Sequence, residues 1–265
     1  MKSVKRVAAQ VVVLTLAGFS GPAPAVQPLV TDDTGTQSSG GNQLEFALNE
    51  VRASVNGGIE RLRTLPIVYT RGLTETLDVL AGLSHARIRS NAPGGGASGG
   101  GHPSFGAKWR FYENEKSKTG FAFKPEVLLP VSAGGEVAGL GAGKTSGKLT
   151  LILTQEVAFG AIHVNAGVGR DRYRDTSNKS DTTTTRTSIA TVWNLTDHWK
   201  LALGLGTQSA HAGSARVRSN FAELGAIYSP REDVDFALGI LRSSDNDSPR
   251  TTTHAATAGI TWRFP

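Results

Sequence analysis

Thr253-His-Ala-Ala-Thr-Ala-Gly-Ile-Thr-Trp-Arg-Phe264 stands just ahead of the terminal Pro265. Ala256, Ala258, Ile260, Trp262 and Phe264 share one parity, and Ala255, Thr257, Gly259, Thr261 and Arg263 share the other. Side chains alternate across a strand with period two, so one face is apolar with an aromatic end and the other is small or polar. A strand of a soluble sandwich has the same pattern. Coming last, after many similar segments and behind an export signal, this stretch predicts the closing strand of a transmembrane β-barrel.

The export signal occupies residues 1–25. Lys2, Lys5 and Arg6 form a positive start, Val7 to Leu16 is mostly apolar, and Ala23-Pro24-Ala25 supplies the small residues of a cleavage site. Its loss removes three positive charges and no acids, so the formal net charge of +6 falls to about +3 (6 − 3). The basic pI therefore belongs partly to the precursor and does not argue for nucleic-acid binding, which needs a clustered basic surface. With no cysteine in the chain, a disulfide scaffold and a thiolate metal site are excluded. Beyond the signal no apolar run approaches the length of a transmembrane helix. A polar leader, residues 26–42, follows. Its default placement is a frayed terminus, with a position inside the barrel as a partial plug the alternative, because Asp32, Asp33 and the threonines suit a polar lumen.

Residues 43–265 are expected to form one all-β domain, a single antiparallel barrel. Leu44, Phe46 and Leu48 begin the first alternating segment. Eleven more follow near 63–71, 76–90, 103–113, 119–130, 145–156, 159–170, 184–194, 198–210, 217–228, 233–243 and 253–264. Phe105, Ala107, Trp109 and Phe111, for example, alternate with Gly106, Lys108, Arg110 and Tyr112. Most segments reach the nine to eleven residues that a tilted strand needs to cross a bilayer. The connections at 73–75, 114–118, 157–158, 195–197 and 229–232 are short. Those at 53–62, 91–102, 131–144, 171–183, 211–216 and 244–252 are mostly longer and polar. Strict alternation of the two kinds predicts short periplasmic turns, longer external loops and an even strand number, twelve.

A turn-plus-strand unit recurs weakly. Gly72-Leu-Thr-Glu-Thr-Leu-Asp-Val-Leu-Ala-Gly-Leu83 returns as Asn194 to Leu205 and more loosely as Ser229 to Ile240, each with glycine one before the last. Convergent hairpin chemistry explains it equally well.

Several stretches resemble a known family. Leu29-Val-Thr-Asp-Asp-Thr-Gly-Thr-Gln37 followed by Gly41-Asn-Gln-Leu-Glu-Phe46 is similar to the mature start of outer-membrane proteins grouped as "putative MetA-pathway of phenol degradation". Gly72-Leu-Thr-Glu75, Lys108-Trp-Arg-Phe111, Leu129-Pro130 leading to Gly139-Leu-Gly-Ala-Gly143, and His163-Val-Asn-Ala-Gly-Val-Gly169 follow in the same order. The resemblance implies a transporter-like outer-membrane barrel with a loosely defined substrate. It also implies that Trp262 and Phe264 form the terminal signal read by the barrel-assembly machinery. Pro265 after Phe264 departs from the usual aromatic end.

Enzyme-like signals are weak in their context. Ala138-Gly-Leu-Gly-Ala-Gly-Lys-Thr145 fits a relaxed phosphate loop, but alternation from Leu149 to Thr154 predicts a following strand where such a loop needs a helix. No pair among His85, His102, His163, His198, His211 and His254 has metal-ligand spacing, so no metal, cofactor or catalytic residue is assigned. A lipid-modifying, phospholipase-like barrel remains a rival reading, with His254 on the lipid face and Ser188 or Ser219 as candidate nucleophiles. A closed structural or adhesive barrel is another.

The inward set is the stronger lead. Glu45, Lys108, Arg110, Lys124, Glu126, His163, Lys200, Glu223, Asp235 and Arg263 all fall opposite apolar faces. A Lys or Arg facing mid-bilayer lipid costs about 2–4 kcal/mol, so these residues are predicted to line the lumen, as structural ion pairs or as a charged pore lining. Twelve strands lie between a filled eight-stranded barrel and an open porin. The expected function is passive conduction of small hydrophilic or amphipathic solutes, aromatic compounds and organic anions among them. The expected partners are outer-membrane lipids, the assembly machinery and small solutes, with no nucleic acid; the oligomeric state is open.

Overall fold

In a computed structural model of the chain, residues 28–55, 58–91, 96–175, 179–246 and 250–265 are described. The expected signal peptide, 1–25, lies outside them. The described residues form thirteen strands: β1 (Asn42–Val55), β2 (Gly58–Thr74), β3 (Leu77–Ser90), β4 (Gly96–Gly100), β5 (Ser104–Asn114), β6 (Thr119–Leu128), β7 (Ser146–Val157), β8 (Gly160–Asp171), β9 (Thr182–Asn194), β10 (Trp199–Ala212), β11 (Ala215–Arg231), β12 (Val234–Asp245) and β13 (Thr252–Phe264). Each pairs antiparallel with its sequence neighbour except that β4 and β5 both pair with β3, and β13 returns to β1 from Asn42↔Phe264 to Ser54↔Thr252. The result is a closed barrel of twelve staves with one extra strand, β4. Closure satisfies the strand edges that a bilayer would leave without partners.

The period-two pattern settles the two surfaces. Phe46, Leu48, Leu83, Phe105, Leu151, Leu203, Leu205, Leu238, Ile240 and Ile260 are exposed on the outside. Their strand neighbours, polar or small, are buried inside. This is an inverted soluble protein, as lipid exposure requires. The four tryptophans, Trp109, Trp193, Trp199 and Trp262, lie toward the short-turn end. There Trp199 packs on Tyr228 (4.7 Å between centroids), Phe159 on Trp193 (5.9 Å) and Trp262 on Phe264 (4.7 Å). They form an aromatic girdle at that interface.

Four features differ from the sequence expectation. First, β1 and β2 extend to Val55 and Gly58, and β10 and β11 to Ala212 and Ala215. The supposed loops 53–62 and 211–216 are thus mostly strand, and long and short connections do not strictly alternate. Polar residues on both faces disguised these strand ends, which stand clear of the apolar belt.

Second, β4 pairs along the outer half of β3 (His85↔Gly100 to Arg89↔Gly96) while β5 pairs along its inner half (Leu77↔Trp109 to Gly82↔Ser104). They form one stave broken at 101–103. A run dominated by glycine carries no alternation to read. Third, a bulge between Arg110 and Tyr112 turns Tyr112 outward, against Phe121 at 5.7 Å; the expected inward placement of Tyr112 fails because a bulge shifts parity by one. Fourth, the leader is not frayed, as described next.

Above the barrel a short helical turn, α1 (Ala133–Val137), is capped by Ser132, whose Oγ accepts from Gly135 N at 3.0 Å. It joins two outer loops. Glu136 Oε1 accepts from Arg174 N (2.6 Å), Arg174 donates to Gly143 O (2.8 Å), and Lys179 Nζ lies 5.4 Å from the Tyr173 ring centre.

Candidate functional site

Residues 28–41 cross the lumen. Starting at the short-turn rim, Gly72 N donates to Gly41 O and Gly40 N to Gly72 O, both at 2.9 Å. Gln37 N lies 3.1 Å from both Asp78 oxygens, and Thr34 N donates to Thr154 Oγ1 at 3.0 Å. Farther along, Thr31 Oγ1 donates to Ser188 Oγ (2.9 Å) and Val30 N to Glu223 Oε2 (3.0 Å). Leu29 is buried with Ala190, Val192 and Ala202. Pro28 then packs on the far wall, where a Cβ at Gly225 would sit 2.3 Å from its Cγ and one at Gly239 would sit 2.7 Å from its Cβ. Only glycine at these two inward positions leaves room for the ring. The segment is thereby held to β2 and β3 on one side and to β9 through β12 on the other.

Asp32 is at the centre. Its Oδ2 meets Lys124 Nζ at 2.6 Å and its Oδ1 meets Lys108 Nζ at 3.4 Å. The three side chains are 7, 2 and 7% exposed for Asp32, Lys124 and Lys108. Asp33 Oδ1 adds a second contact to Lys108 at 3.5 Å. The Asn165 amide, oriented to satisfy both partners, donates to Asp32 O (2.9 Å) and accepts from Asp32 N (2.6 Å). Buried charges are tolerated when paired and hydrogen-bonded in this way.

The ten residues expected to face inward divide into two groups. Glu45, Lys108, Lys124, Glu126, His163 and Glu223 are buried in the interior. Lys108 and Lys124 converge on Asp32; Glu223 holds Val30; His163 Nδ1 lies 3.0 Å from Thr154 Oγ1, which also receives Thr34 N. Glu126 stands in register with Lys148. Glu45 Oε2 and Glu126 Oε1 have no hydrogen-bond partner among the described protein atoms.

The other four lie near the short-turn rim. Arg110 donates to Glu75 O (2.9 Å) and pairs with Glu113 (3.3 Å). Asp235 accepts from Ser229 Oγ and Arg263 Nη2, both at 2.6 Å. Lys200 is exposed. They do not join the central cluster.

Sequence reasoning passed over Asp78, Lys148 and Arg186, all buried. Arg186 donates twice to Gln208 Oε1 (3.1 and 2.7 Å) and sits 5.5 Å from the Phe221 ring centre. Threonines on both faces of β9 masked its direction. Lys148 was legible, since it alternates with Leu149, Leu151 and Leu153.

The hydrolase arrangement does not form as expected. Ser188 and Ser219 are buried inside, whereas His254 faces outward; the wall separates them. A different exterior pair exists, His85 Nε2 at 3.0 Å from Ser98 Oγ. Among the described residues no acid or amide is hydrogen-bonded to the other ring nitrogen, so the third member that orients such a base is missing. The Ala138–Thr145 stretch leads into β7 and not into a helix, which removes the phosphate-loop geometry. Among the described residues no three His, Asp or Glu side chains converge to hold a metal ion.

The closed antiparallel barrel with an apolar exterior and a charged interior has the fold of outer-membrane barrels. The chain belongs to the family described as "putative MetA-pathway of phenol degradation", whose model matches residues 31–264. Its fold is similar to that of the COG4313 outer membrane channel from Pseudomonas putida F1 (TM-score 0.68, 13% identity, covering 88% of this chain and 98% of that one). It is also similar to the translocator domain of the autotransporter NalP from Neisseria meningitidis (TM-score 0.54, 14% identity, 87% and 91% covered). The beta domain of the Bordetella autotransporter BrkA aligns at TM-score 0.56 with 13% identity, 86% and 100% covered. No curated protein matches the chain by sequence.

Proposed function

We propose that this protein is an outer-membrane channel that passes small hydrophilic or amphipathic solutes, with organic anions, aromatic carboxylates among them, as the preferred class. The observation that carries the reading is the charged interior crossed by a leader whose Asp32 sits between Lys108 and Lys124. Lys108 and Lys124, gathered on the leader's Asp32 with Asp33 also on Lys108, form a site whose leader carboxylates an incoming carboxylate can replace as the leader yields. The family's association with aromatic degradation and the channel among the related folds point the same way. The leader narrows the bore, so the path is for small solutes only.

On this reading the exported chain sits in the bacterial outer membrane with its short turns toward the periplasm, and its terminal strand offers Trp262 and Phe264 to the assembly machinery. The testing experiment is single-channel conductance of the refolded mature protein in a planar bilayer under salt gradients. Discrete steps with anion preference support the reading. Silence from a barrel shown to be folded refutes it. So does unchanged anion-to-cation permeability in a Lys108→Gln, Lys124→Gln double variant, because the anion preference is assigned to those two groups.

A further inference from the structure

The outside of the barrel has two unlike ends. Aromatic side chains ring the short-turn end, whereas arginines replace them toward the opposite end. Register places Arg242, His254, Arg52, Arg61 and Arg89 side by side on β12, β13, β1, β2 and β3: Arg242↔His254, His254↔Arg52, Arg52↔Arg61, Arg61↔Arg89. All five are exposed and point outward. Four strand spacings give the row a width of about 19 Å. One turn inward, Arg63 joins it, and Glu50 bridges Arg52 (2.6 Å) and Arg63 (2.8 Å). One carboxylate therefore answers two guanidinium groups that remain 55 and 57% exposed.

Directly below the row, on the same outer surface, is a groove of about 1150 Å³. Its floor is Ala256 and Ala258 of β13, its sides are Leu48 of β1 and Leu238 and Ile240 of β12, and its upper end is Arg52, Arg242 and His254. Small side chains on β13 between large ones on both neighbours create the trough. An apolar trough beginning in lipid and ending under cations has the shape and polarity of a lipid with an anionic headgroup. A single phosphate does not need a row of this width; a headgroup bearing two phosphates does.

We propose that Arg242, His254, Arg52 and Arg61 bind the phosphates of the outer-leaflet glycolipid, lipid A, with one of its acyl chains in the groove over Ala256 and Ala258. The inference rests on the outer-membrane orientation proposed above, in which the arginine end faces the outer leaflet. Guanidinium groups pair with phosphate oxygens in a bidentate manner, and basic residues at a membrane surface add to lipid attraction nearly independently.

The test is native mass spectrometry of the detergent-solubilised mature protein titrated with diphosphoryl lipid A. An Arg52→Gln, Arg61→Gln, Arg242→Gln variant is expected to bind it roughly 100-fold more weakly. A control losing the same charge at the short-turn end, Lys116→Gln, Lys118→Gln, Arg231→Gln, is expected to bind as the wild type does. Equal binding by wild type and the first variant overturns the proposal. Equal loss in the control overturns it too, as does equally tight binding of a dephosphorylated lipid A. Orientation is read separately: the chain has no cysteine, so Ser214→Cys reports on its own. Labelling by a membrane-impermeant maleimide in intact cells supports the outer-leaflet assignment, and labelling only after permeabilisation overturns it. A wild type that conducts normally but binds no lipid A refutes this inference alone, while lipid A binding without conductance refutes the channel reading alone.

Discussion

Asp32→Asn is the substitution through which the leader's role is most directly read. Asp32 contacts Lys124 at 2.6 Å and Lys108 at 3.4 Å, all three nearly excluded from water. Removing one partner of a buried ion pair costs about 3–5 kcal/mol, and the Asp33 contact that Lys108 keeps sets this case at the lower end, about 3 kcal/mol. The leader's remaining ties through Val30, Thr31, Thr34 and Gln37 contribute about 1 kcal/mol each. The change at Asp32 therefore outweighs any single one of them. The barrel avoids the cost if the leader leaves and water reaches the two lysines. A loss of about 3 kcal/mol shifts the balance of docked and released leader by roughly 100-fold. Single-channel recording of the folded variant is expected to show larger or longer openings, with the reversal potential in a salt gradient moved toward anions. Adding Lys124→Gln is expected to reverse part of that movement. An Asp32→Asn barrel with wild-type conductance and wild-type selectivity would refute the reasoning, and a move toward cations would refute the charge assignment.

Other consequences are accessible to simple measurements. Gly225→Ala sets a methyl group where Pro28 lies, 2.3 Å from its Cγ; higher conductance from an intact barrel is expected, and unchanged conductance would mean that Pro28 can shift without freeing the leader. Arg186→Ala removes the two bonds to Gln208 and the contact with Phe221, and a loss of about 3 kcal/mol is expected in urea unfolding of the lipid-reconstituted protein; less than about 1 kcal/mol would show the side chain to be dispensable. Ser98→Ala is expected to leave lipid turnover at the background level of the wild type, because His85 lacks an orienting partner; phospholipid hydrolysis that this variant abolishes would restore the enzyme reading. In the outer loops, burial and then Asp171 push the Tyr173 phenol up from 10.0 to about 12. A raised value means that the folded loop holds the proton longer, so the stability it contributes is complete below pH 10.0 and is lost as the pH rises toward about 12. In an alkaline absorbance titration one of the four tyrosines is expected to ionise last, and Tyr173→Phe is expected to remove that step.

What the sequence determined by itself was the part governed by local period. Alternation along Thr253–Phe264, Trp199–Gly206 and Phe121–Leu128 gave strand identity, the lipid-facing side and the inward direction of Lys108, Lys124, Glu126, His163 and Glu223, because a strand's two faces are set residue by residue. Counting the alternating segments, from Leu44–Leu48 to Thr253–Phe264, gave twelve staves. The same local logic failed where local signals were absent or broken. Glycines concealed β4, a bulge reversed Tyr112, and doubly polar strand ends looked like loops. Tertiary structure alone decided what the inward charges do. Asp32 lies 76 residues from Lys108 and 92 from Lys124, and no period relates them; closure of the barrel brings their walls around one short segment. The exterior row from Arg242 to Arg89 is equally silent in the sequence, where its members are scattered singly. Only the register of five neighbouring strands aligns them, since registry is fixed by inter-strand hydrogen bonds around the whole barrel and not by the pattern within any one strand.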